Sequence, residues 1–148
     1  MDNKIVYVTN MANHKVGIKM PDLNLKVVWE KRGARKPISE EKLQMAMYDA
    51  GVEYMFNQGI LVVEDKEVEK ELNIEEVALT DKQMENLWKN ATSVDFKIRV
   101  KDLPYEQIKL LANWAVENNI MDLKKAEIIK ELIGTDIITK VTFKHGDE

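Results

Sequence analysis

The sequence predicts an α+β fold: a small antiparallel β-unit with a helical insertion, followed by a small helical bundle. Three observations carry this reading. Residues 1–64 hold short apolar runs at strand spacing: Ile5 to Val8, Val16 to Met20, Leu25 to Trp29 and Ile60 to Val63. Beyond Asp65 the apolar residues recur at helical spacing. Between the two lies Glu64 to Glu76, with seven acids and two lysines. The domain reading is a β-rich unit over 1–64, an acidic connecting helix or linker over 65–78, and a helical unit over 79–148.

The elements follow in order. Ile5 and Tyr7 alternate with Val6 and Val8, as in a strand covered on both faces. Asn10, Asn13 and His14 suit a turn. Val16, Ile18 and Met20 alternate with Gly17 and Lys19, and Pro21-Asp22 breaks the run. Leu25, Val27 and Trp29 resume the alternation, which reads as a β-meander or hairpin pair. Lys31 to Lys36 reads as a loop, with Gly33 inside it and Pro37 just after. Ser39 can cap a helix whose first turn holds Glu40 and Glu41, facing the positive helix end. Leu43, Met45 and Met47 give that helix an apolar side, and Asp49-Ala50-Gly51 interrupts it. Val52, Met55 and Phe56 then stand at i, i+3 and i+4. Gly59 stands where a helix C-terminus favours glycine, and Ile60 to Val63 reads as a strand returning to the first sheet. Val68 and Leu72, at i and i+4, predict a short exposed helix in the acidic stretch.

Thr80 and Gln83 match a capping box, and Met84, Leu87, Trp88 and Ala91 continue as an amphipathic helix. Pro104 suits the first turn of the next helix, where Ile108, Leu111, Ala112 and Ala115 form a stripe widened by Leu110 and Trp114. Asp122 can cap a helix through Ala126, Ile129 and Ile133 that Gly134 ends. Ile137, Ile138 and Val141 predict a last short helix. One segment is open. Val94, Phe96, Ile98 and Val100 alternate with polar residues as in a half-buried strand. Read as a helix capped by Ser93, the same residues pair at i, i+4. Context favours the helix, because a lone strand among helices needs a partner edge.

A chain of 148 residues, 45% of them hydrophobic, can bury a real core. A formal charge of −4 argues against a general nucleic-acid coat. With no cysteine, disulfides and thiolate metal sites are excluded. No apolar run approaches the roughly 18 to 20 residues needed to span a bilayer. The start of the chain, with Asp2, Lys4 and a short apolar strand, does not read as a signal peptide.

No constellation for catalysis stands out, and the expectation is a protein without enzymatic activity, cofactor, metal or small-molecule ligand. His14 and His145, the only histidines, read as solvated. The acids of Glu64 to Glu76 lack calcium-loop spacing and read as a solvated helix face. The basic segment is the candidate partner-binding site. Lys26, Lys31, Arg32, Arg35 and Lys36 stand against Glu30, a local charge of +4. Gly33 and Pro37 favour a projecting loop, and Trp29 stands at its base as an anchor. The bland alternative is a solubilising hairpin tip. A second candidate face is the methionine and tyrosine cluster around Met47 and Tyr54. For those methionines, core filling is preferred over an adaptable binding surface.

Five stretches carry a resemblance. They are Val8-Thr9-Asn10, Asn13-His14-Lys15-Val16, Ala50-Gly51-Val52-Glu53-Tyr54, Gly59 to Asp65, and Lys125 to Glu131 with Gly134-Thr135-Asp136-Ile137. Together the chain resembles small accessory proteins encoded in tailed-phage and prophage genomes of Gram-positive bacteria. The resemblance implies a structural or accessory virion role, in capsid or neck, through contacts with a phage structural protein or with itself. It implies no catalytic residues, favours helix for Ser93 to Lys101, and places the protein in the virion, or in host cytoplasm during assembly. The alternatives are an inhibitor or adaptor that binds a host protein, and a nucleic-acid-binding regulator that uses the basic segment.

Overall fold

A computed structural model describes residues 4–146. The part of the N-terminal reading that rests on Asp2 lies outside them. The fold is α+β and divides into two compact units, one ending at Ala78 and the other beginning at Leu79.

The first unit is built on β1 (Ile5–Asn10), β2 (Val16–Met20), β3 (Leu25–Trp29), β4 (Arg35–Ser39) and β5 (Leu61–Val63). A three-stranded antiparallel sheet has the order β4-β1-β5, with Val8 opposite both Lys36 and Val63. A hairpin of β2 and β3 pairs Val16 with Trp29 and Ile18 with Val27. Between its strands Pro21–Leu23 makes one 3-10 turn, closed by Asn24 in a left-handed conformation (φ 50°). Val6 and Val8 point into the core, while Ile5 and Tyr7 lie on the solvent side. That corrects the expectation that β1 is covered on both faces.

Two helices cross between β4 and β5. Ser39 Oγ caps α1 (Glu40–Ala46), and Asp49 caps α2 (Ala50–Asn57) through the Gly51 and Val52 amides. A third helix, α3 (Lys66–Glu71), is capped by Asp65. Its Val68 is buried, and so is Ile74 beyond it, both in the same core as Trp29, Leu43 and Phe56. The segment expected as an exposed connecting helix or linker therefore belongs to the first unit. Its apolar residues are few, but they face a core with room for them.

The second unit is helical: α4 (Asp81–Lys89), α5 (Ser93–Val100), α6 (Tyr105–Glu117), α7 (Leu123–Ile133) and α8 (Ile137–His145). The Thr80–Gln83 capping box is present in both directions. Asp122 caps α7, Gly134 ends it at φ 75°, and Asp136 caps α8. The open segment is helix α5, capped by Thr92 rather than by Ser93. Helix α6 packs against α4, α7 and α8. The core joins Leu87, Trp88, Phe96, Val100, Leu111, Ile129 and Val141. The Trp88 and Phe96 rings lie 4.9 Å apart, tilted by 52°, a geometry that adds to burial alone.

Candidate functional site

The basic segment is not a free loop. Lys31 to Ala34 form a tight turn, with Gly33 at φ 86° and its amide on the Asn10 carbonyl. Arg35 and Lys36 already belong to β4. Asn10 organises this end of the unit. It is fully buried, accepts from the Ala12 amide through Oδ1, and donates to the His14 carbonyl through Nδ2. Arg32 donates to the Met11 carbonyl. The turns at 11–15 and 31–34 are thereby tied together.

Arg35 extends over the solvent face of the sheet. Its guanidinium stacks 3.7 Å above the Tyr7 ring and pairs with the Glu64 carboxylate at 2.6 Å. Glu64 also accepts from the Thr9 hydroxyl. The Arg35 hydrogen bond holds the Glu64 carboxyl below its ordinary range. Trp29 is wholly buried, and its Nε1 donates to the Val8 carbonyl at 2.9 Å. It is a residue of the first unit's core. Of the five predicted contact residues, Lys31, Arg35 and Lys36 are exposed cations, and Arg35 is already paired with Glu64. The structure engages Arg32 and Arg35 within their own unit, buries Trp29, and does not gather all five into one projecting surface.

The methionine and tyrosine cluster divides differently. Met55 is half-buried and Phe56 lies in the core, as core filling requires. Met45 is exposed, and Tyr48, on the turn between α1 and α2, is 93% exposed. Met45, Met47 and Tyr48 share a groove with Leu72, rimmed by Glu41 and Glu71. Residues 37–78, which supply this groove, hold eleven acids against three lysines, and Glu41 and Glu71 are the acids that line it.

The second unit presents a surface that sequence reasoning missed. Val94, Leu123 and Ile128 line an open groove between α5 and α7, with Lys97, Lys124 and Glu127 at its rim. Val94 is 67% exposed and Ile98, one turn on, is 58% exposed. Lys97 and Lys101 flank them on the same helical stripe. The signal was in the sequence: four apolar residues on an eight-residue helix exceed what one buried face can take.

His14 and His145 belong to different units, and each ring lies within hydrogen-bond distance of a backbone carbonyl. Among the described residues, no group of three or more His, Cys, Asp or Glu is placed to hold a metal ion. Among them, too, no helix is long and apolar enough to cross a membrane. No family model, curated protein or solved structure matches the chain.

Proposed function

We propose that this chain is a non-enzymatic structural or accessory protein that works through protein–protein contacts in a phage particle, in its capsid or neck. One observation carries the contact reading. Each unit leaves large apolar side chains in water, grouped and rimmed by charge: Met45 and Tyr48 on one, Val94, Ile98 and Leu123 on the other. Scattered exposed apolar residues are ordinary, whereas grouped ones with polar rims mark interaction sites. The particle rests on the resemblance to phage accessory proteins. A nucleic-acid role draws less support, because Arg32 and Arg35 are engaged within their own unit.

Mass spectrometry of purified particles tests this reading. The chain is expected in stoichiometric amount. Its absence from particles contradicts a virion role. A gel shift at two salt concentrations tests the nucleic-acid alternative, since binding through phosphates weakens steeply with salt.

A further inference from the structure

We infer that Tyr48 of one copy seats in the α5–α7 groove of a second copy, so that the chain associates head to tail. This rests on the reading that the protein works through protein contacts, and it names the partner as the chain itself.

Two aromatic side chains stand almost wholly in water: Tyr48 at 93% and Phe143 at 91%. Their surroundings differ in sign. Phe143 is flanked along α8 by Lys140 and Lys144. Tyr48 has Glu41 and Glu71 at its groove rim and Asp49 beside it in the chain. The apolar groove that needs an occupant is rimmed by Lys97 and Lys124 against the single acid Glu127, with Lys101 further along the stripe. Phe143 would bring like charges together there, whereas Tyr48 brings carboxylates to lysines. Opposite rims steer the encounter and fix its register.

Tyr48 also has the form of an anchor. Its turn is held by three backbone bonds: Met47 to Leu43, Tyr48 to Met45 and Asp49 to Ala46. The ring is therefore presented on an ordered backbone, at low entropic cost on binding. Tyrosine is among the residues that dominate interface energies. Val94, Leu123 and Ile128 offer the apolar wall, and Glu127 a hydrogen-bond acceptor for the phenol. Each copy carries one knob and one groove, and a head-to-tail contact between them closes into rings or runs on as filaments.

Two blocked variants test this. Val94→Glu with Leu123→Glu closes the groove, and Tyr48→Ser with Met45→Ser removes the knob. All four positions are exposed, and circular dichroism checks that both variants fold. Sedimentation velocity of the parent should show species that grow with concentration and shrink at high salt. Each variant alone should be monomeric, with association weakened roughly 30-fold or more, as for loss of a central anchor. An equimolar mixture should give a dimer that grows no further, because each variant retains one intact half of the contact. A parent that stays monomeric at every concentration overturns the inference, as does self-association that neither variant affects. A monomeric parent found in particles leaves the particle reading standing and removes only the second copy as partner.

Discussion

Lys125 and Trp88 are joined by a buried hydrogen bond: the ammonium Nζ donates to the Trp88 carbonyl at 2.8 Å, and a second bond of equal length reaches Leu87. These are carbonyls of the last turn of α4, where a helix runs out of its own donors. Lysine is seldom fully buried, and this one supplies a charge-assisted cap from α7. Lys125→Met keeps the stem and deletes both donors. It should cost the helical unit about 1–3 kcal/mol, a fall in Tm of roughly 4–8 °C per kcal/mol for a unit of this size. An unchanged Tm would show that water replaces the ammonium.

Trp29 should act on stability rather than directly on partner contact. Trp29→Phe keeps most of the burial and loses the bond to Val8, at about 1–3 kcal/mol. Trp29→Ala adds a cavity and should cost about 3–5 kcal/mol, enough to unfold a marginal unit. Denaturation followed by circular dichroism checks both. A variant that melts like the parent but loses its partner would restore Trp29 as a contact residue.

Glu69 is buried on α3, and burial pushes its carboxyl above the ordinary range, partly offset by Lys66. A raised carboxyl penalises the folded state at neutral pH, and the penalty disappears as pH falls below the ordinary carboxylate range. Glu69→Gln should therefore raise the Tm at pH 7. The gain should fade on acidification, when the parent carboxyl is protonated in both states. A thermal melt series over pH reads both the sign and the trend.

The four cations at 31–36 should separate into two pairs. Lys31→Glu with Lys36→Glu should leave the Tm nearly unchanged. Arg32→Glu with Arg35→Glu should lower it, because the first loses the Met11 carbonyl and the second sets a carboxylate against Glu64. Equal Tm values for the two double variants would show that these contacts are not formed in solution.

Much of the fold was legible because capping is local chemistry. Thr80, Asp122 and Gly134 mark the helix ends where they were expected, each acting through a backbone group within a few residues. The strand β4 was not legible. Arg35-Lys36-Pro37 shows no apolar alternation, and only pairing with β1 makes it a strand. Pro37 fits there because an edge strand can do without one ladder donor. Val94 to Val100 was ambiguous for a reason that bears on function. Phe96 and Val100 face the core, while Val94 and Ile98 face water. Two apolar stripes on one short helix imitate strand alternation. The second stripe, surplus to the fold, is half of the candidate site. The pairing of Arg35 was not legible, because charge in a sequence does not reveal its partners and Glu64 lies 29 residues from Arg35.

The central claim is that grouped apolar side chains on the two units hold this chain in a phage particle. The most direct measurement is its copy number in purified particles, for the parent and for a Tyr48→Ser, Val94→Glu, Ile98→Glu variant expressed to the same level. The account predicts a fixed, stoichiometric copy number for the parent and strong depletion of the variant. Equal incorporation of the two, or absence of both from particles, would contradict it.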